Sequence, residues 1–292
     1  MATVLQRTHT VQQAAQGNGL RTVIAVFRKA LYDSRKTILW LAIGLGLYVV
    51  ALMSFYPTLT KDAEKFDELI QSYPKGLISM IYQGDIADFQ ISNPGMFIQT
   101  EFMTWLLLII GAIGIGQVFN AFTNAERDGS MDMFLSLPVS RRSYLIGRVL
   151  TTALMVLVVL TAMFLAFCLA SVLWPVFDVN IGYLALGIYG AFWPLMVIIS
   201  FSYLLAAVVP SSKHFAGPVA YLFMIGSYLI YSFSGSVKTL SEIRPLFLYH
   251  YYSAADSINH GVNLGDWGIL AVVSLVYLVL AWWFVDRKEL GV

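Results

Sequence analysis

The stretch YLIGRVLTTALMVLVVLTAMFLAFCLASVL, Tyr144 to Leu173, carries a single charge, Arg148, close to its start. A helix rises ~1.5 Å per residue, so about 20 mostly apolar residues cross ~30 Å of hydrocarbon. This run exceeds that length and predicts a spanning helix with room to tilt or to extend beyond the core. The whole chain agrees, being 58% hydrophobic and 12% charged, where soluble domains sit near 45–50% and roughly 25%. Composition therefore assigns the membrane class first.

Working outward, five further segments qualify: Thr37 to Tyr56, Gln99 to Thr123, Gly182 to Val209, Phe215 to Phe233 and Trp267 to Val285. The expected fold class is an all-α membrane protein with six spans. Pro194 lies inside the fourth and predicts a kink there. Trp40, Tyr56, Trp105, Tyr144, Trp174, Trp267, Trp282 and Trp283 gather near span ends, as interfacial aromatics do.

Lys and Arg set the orientation. Arg7, Arg21, Arg28, Lys29, Arg35, Lys36, Arg127, Arg141, Arg142, Arg148, Lys213, Arg287 and Lys288 fall on one side. Only Lys61, Lys65, Lys75, Lys238 and Arg244 fall on the other, among acidic residues such as Asp62, Glu64, Asp67 and Glu68. Both termini are expected in the cytoplasm, with the chain in the cell's inner (plasma) membrane. The N-terminal residues lack a signal peptide's apolar core and read as a polar tail. A net charge of +1 suggests no nucleic-acid partner. Cys168 stands alone, cannot pair within the chain, and leaves the redox compartment open.

Residues 1–36 are expected to form a cytoplasmic tail and an amphipathic N-terminal helix. Leu20, Val23, Ile24, Phe27, Ala30 and Leu31 recur at helical spacing, with Arg28 and Lys29 on another face. A basic face opposite an apolar one favours lying in the headgroup plane against membrane lipid. The alternatives are a plain juxtamembrane anchor and a gating element. Residues 37–292 form the six-span domain, with outer loops at about 57–96 and 234–264.

The cytoplasmic loop 124–143 is the informative one. Met131, Phe134, Leu135 and Leu137 share one face of a short helix. Acidic residues suit its start, and Pro138 stops it. A dozen residues make a marginal helix in water, so this one needs a surface to hold it.

The run Glu126-Arg127-Asp128-Gly129-Ser130-Met131-Asp132-Met133-Phe134-Leu135-Ser136-Leu137-Pro138-Val139-Ser140-Arg141, followed by Gly147-Arg148, resembles the signature of ABC-2 type transporter permeases. Ser130 stands where Thr is usual. The tail Asp286-Arg287-Lys288-Glu289-Leu290-Gly291-Val292 and the segment Pro245 to Tyr251 are similar to family features too. The resemblance implies that the loop is a coupling helix seated on an ATPase subunit. Glu126, Arg127, Asp128, Gly129, Asp132, Phe134, Leu135 and Pro138 would then carry coupling. It implies a dimer, with a second copy or a related permease, working as an exporter. The competing explanation is a solvated loop whose charges only set topology.

No G-x-x-x-x-G-K-[ST] occurs, so the chain has no Walker A phosphate cradle of its own. It is expected to be no enzyme and to bind no cofactor, with ATP and Mg held by separate ABC ATPase subunits. Glu101, about a turn inside span two, is a candidate pathway or gate residue. Gln117 and Asn120 read as interhelical hydrogen-bond partners before they read as ligands. Gly111, Ala112, Gly114 and Gly116, and likewise Ala216, Gly217 and Ala220, permit close packing within the chain or across a dimer seam. So apolar a path suits an amphiphilic cargo better than a simple ion. Two rivals remain. His250, Asp256 and His260 share one loop but match no zinc-enzyme spacing. An ATP-independent channel or scaffold subunit would share the spans without needing the 126–137 element.

Overall fold

The computed structural model describes residues 19–73, 93–124, 139–210, 215–234 and 238–287. Among them every regular element is helical and no strand forms. Six helical segments are long and apolar enough to cross a membrane: Gly19–Lys61, Pro94–Asn124, Arg141–Leu173, Ile181–Val208, Ala216–Ser234 and Leu264–Phe284, spans 1 to 6 below. In hydrocarbon no water satisfies a free N–H or C=O, and a helix pairs its own backbone groups within the segment.

Span 1 begins much earlier than its apolar run. Gly19–Met53 is one helix of 35 residues, with no break where the amphipathic segment was expected to give way to the span. Ala30, Ser34, Ile38, Leu45, Val49 and Met53 form its buried stripe. The stripe faces span 3, and Gly147 explains how closely. A Cβ built there would lie 2.7 Å from Val26 Cγ1 and 3.2 Å from the Phe27 backbone nitrogen. Thr151 Oγ1 also donates to the Phe27 carbonyl, 3.4 Å away. Val26 and Phe27 are thus fixed along span 3. Leu20 and Ile24 remain exposed on the other side.

Span 4 is interrupted as Pro194 predicts. Ile181–Gly190 and Phe192–Val208 meet at Ala191, where the i→i−4 ladder yields to a shorter bond from the Ala191 N–H to the Ile188 carbonyl, 3.2 Å. Proline has no N–H to offer the carbonyl four residues back, and its ring crowds that carbonyl. The break is buried, with Ala191 and Ile188 at 0% exposure. Span 4 lies at the centre of the bundle, and Leu195, Ile198 and Ile199 are fully buried. Gly111 and Gly114 of span 2 serve this packing. A Cβ at Gly111 would meet Met224 Sδ of span 5 at 2.7 Å, and one at Gly114 would meet Ile199 Cγ1 at 2.9 Å. Both glycines are therefore used inside one chain.

Replacing Gly147 by alanine is expected to lower the thermal unfolding midpoint in detergent. Overpacking of this kind costs about 1–3 kcal/mol. V26A combined with G147A should recover part of the loss and leave the backbone clash at Phe27. A wild-type midpoint for G147A would show that the two helices are free to separate.

Candidate functional site

Glu126, Arg127, Asp128, Gly129, Asp132, Phe134, Leu135 and Pro138 all lie outside the described residues. Their flanks are described, and the flanks are joined. Tyr144 donates its hydroxyl proton to the Ala121 carbonyl at 2.9 Å, and its ring meets Phe122 edge-on at 5.2 Å. The last turn of span 2 and the first turn of span 3 are thereby tied across the loop. Ser140 caps span 3, its Oγ accepting from the Ser143 N–H at 3.1 Å. That satisfies one of the four amide donors that every helix start leaves open.

The same end of the bundle holds a second tie. Arg142 Nε lies 2.6 Å from Asp286 Oδ2, and its guanidinium stacks 4.0 Å from the Trp282 ring. The start of span 3 is thus fastened to the end of span 6 by charge and by the ring's π face. Arg287 covers Trp283 in the same way at 3.7 Å. Ser34 of span 1 donates to Gln117 Oε1 of span 2 at 3.0 Å. Gln117 is therefore the interhelical partner that its sequence position suggested. Asn120 is exposed and instead accepts from Asn124 Nδ2 within its own turn, 2.6 Å away. Lys29 is exposed and pairs with Asp33 at 2.6 Å one turn on, an arrangement worth about 0.3–0.5 kcal/mol on a helix surface. Arg28 is exposed as well.

At the opposite end, residues 238–260 fold into short helical pieces: Lys238–Ile243, Arg244–Leu246, Leu248–Tyr251 and Ala254–His260. Two tyrosines of the aromatic run inside it are buried, Tyr249 at 0% and Tyr252 at 3% exposure. Tyr252 donates to the Gly187 carbonyl at 2.7 Å, and Arg244 Nη2 donates to Tyr231 Oη at 2.7 Å. The main anchor comes from span 2. Gln99 Oε1 accepts the Ala254 N–H at 2.7 Å, so a side chain from another helix caps the first turn of Ala254–His260. Gly95 lets the two approach, since a Cβ there would sit 2.8 Å from Asn259 Oδ1. Gln99 opens a π-helical turn, Gln99–Met103, whose extra residue re-aims the side chains around it. Glu101 sits in this turn, half-buried, and its carbonyl accepts from the Tyr48 hydroxyl at 3.1 Å.

His250 and Asp256 border a small polar cavity of about 120 Å³. Burial and the neighbouring Arg244 hold the His250 imidazole below its ordinary pKa, and Asp266 partly opposes them. Among the described residues, no group of three or more His, Cys, Asp or Glu side chains is placed to hold a metal.

Sequence reasoning passed over Gln99 and the Arg142–Asp286 tie. Gln99 had a signal, an amide side chain at the rim of an apolar run. The ion pair had none, because its members lie 144 positions apart in sequence. A family model described as ABC-2 family transporter protein matches residues 24–290. No curated protein matches the chain.

Gln99→Leu is expected to strand the buried Ala254 N–H, at a cost of about 1–3 kcal/mol. Hydrogen exchange should show the Ala254–His260 amides losing protection while those of span 4 keep theirs. Unchanged protection would mean that Gln99 is not what holds this helix.

Proposed function

Starting from the fact that the chain belongs to the ABC-2 family of transporter proteins, we propose that it forms, as a dimer, the translocation path of an ATP-driven exporter in the inner membrane. Membership makes it a permease subunit of an ABC transporter and a multi-pass membrane protein, with ABC ATPases as its partners. Both termini face the cytoplasm in this reading, because the basic residues concentrate at that end. ATP and Mg bind on separate ATPase subunits. Glu126, Arg127, Asp128, Gly129, Asp132, Phe134, Leu135 and Pro138 dock into them.

One observation carries the coupling reading. Three residues after Pro138 begins Arg141–Leu173, a single helix of 33 residues. A long unbroken helix passes a push at its start along its whole length. Gly147 seats span 1 on it, Tyr144 ties it to span 2, and Arg142 ties it to span 6. A displacement at the 126–138 stretch would therefore reach four spans through contacts already formed. ATP-driven closure of the ATPases supplies the displacement, and the bundle reorients for export.

The test is gentle extraction from native membranes with quantification of co-eluting proteins. An equimolar ATPase is expected, lost on double charge reversal (E126K with D128K) while the permease stays monodisperse with an unchanged melting point. A chain that elutes alone under mild conditions would overturn the proposal in favour of an ATP-independent channel or scaffold.

A further inference from the structure

Span 2 departs from α winding near both of its ends. Its π-helical turns are Gln99–Met103 and Asn120–Asn124, and among the described residues no other span contains one. A π turn bonds i→i+5, holds one residue more than the α turn it replaces, and occurs mostly singly, often at functional sites. The second turn ends directly before the 125–138 stretch. Thr104–Phe119, on its other side, is held in place, because Gly111 and Gly114 face Met224 of span 5 and Ile199 of span 4 too closely for any side chain to be turned in.

The seat of the second turn is built largely on span 3. The Phe122 ring meets Tyr144 of span 3 edge-on at 5.2 Å and Tyr203 of span 4 edge-on at 5.8 Å. Tyr203 is itself held by Thr152 of span 3, their side-chain oxygens 2.8 Å apart. The Tyr144 hydroxyl donates to the Ala121 carbonyl, inside the turn, at 2.9 Å. Rewinding the same five residues as α-helix would turn the end of span 2 by about one residue's angle, ~100°. It would also draw Phe122 and the Ala121 carbonyl away from Tyr144. We propose that Tyr144 is a positioning residue whose hydroxyl holds the end of span 2 in the π register, so that a shift of span 3 against span 2 releases the turn to α and rotates the point where span 2 ends. Packed seats of this kind switch between discrete arrangements instead of deforming smoothly. Tyr144 lies in the first turn of span 3, so movement imposed at the start of that span acts on this bond directly. As a statement about transport this rests on the permease reading above; as a statement about span 2 it concerns this chain alone.

The experiment uses the full chain in phosphatidylcholine nanodiscs without any ATPase, with C168S removing its single native cysteine. Spin labels are attached through N124C, at the end of the turn, and V208C, at the end of span 4, both exposed positions. Their separation is read by double electron–electron resonance. A helix surface lies ~5–6 Å from its axis, so rotation by ~100° carries the label at Asn124 about 8 Å. Tyr144→Phe keeps the ring against Phe122 and removes only the hydroxyl. It is expected to add a second, displaced distance population that the wild type lacks. Deleting Asn120 removes the extra residue, so an α turn then ends where the π turn did. Y144F with this deletion should therefore return the wild-type distance as one population. A frayed helix end would give a broad distribution in both variants, and that would overturn the proposal. So would a wild-type distance in Y144F, which would leave the Phe122 ring alone holding the turn. Should Y144F not fold, the deletion background decides. A melting point there that is indifferent to Y144F supports the proposal, and one that still falls overturns it. Because no ATPase is present, failure here leaves the coupling reading standing, and loss of ATPase co-purification would leave this turn standing.

Discussion

A peptide group in hydrocarbon has no water to bond, and among the described residues two departures from a regular helix within the spans are answered inside the protein. The span 4 break at Ala191 is enclosed by neighbouring helices. In the first π-helical turn of span 2, the Gln99 carbonyl accepts the Thr104 N–H five residues on and also the Thr104 hydroxyl at 2.9 Å. Hydroxyls along the other spans turn back on their own backbone in the same way, as Thr151 does to Gly147 and Ser202 to Ile198. Apolar side chains gain little by leaving lipid for each other, so cohesion falls to shape and to scarce polar contacts. That is why glycines stand where helices come closest, and why one serine–glutamine bond joins spans 1 and 2.

The two ends of the bundle are built differently. At the basic end, cation–π stacking and an ion pair join helix ends that are distant in sequence, around the short stretch that the permease reading assigns to the ATPase. At the opposite end, short helices and buried tyrosines fill the space above spans 2, 4 and 5, held by Gln99 from below. Span 3 connects them as a single rod.

Much of this was legible beforehand. Six apolar runs had the right length, Pro194 announced the interruption, and the Glu126–Arg148 run carried the family resemblance that the match over residues 24–290 bears out. Gln117 could be read as a helix-to-helix partner because an amide in an apolar segment must find one. The N-terminal segment was less informative. Its amphipathic pattern says that one face is apolar, and that is equally true of a helix lying on a membrane and of one packed along Gly147.

Length, hydropathy and charge by themselves determined the class, the number of spans and their order, because the cost of placing polar groups in hydrocarbon is paid residue by residue. Tertiary structure alone decided which helix each glycine receives, that Gln99 caps Ala254, that Arg142 meets Asp286, and that the Glu101 carbonyl receives the Tyr48 hydroxyl. Those outcomes depend on how helices far apart in the chain are turned toward each other. Rotation about a helix axis leaves composition and periodicity unchanged.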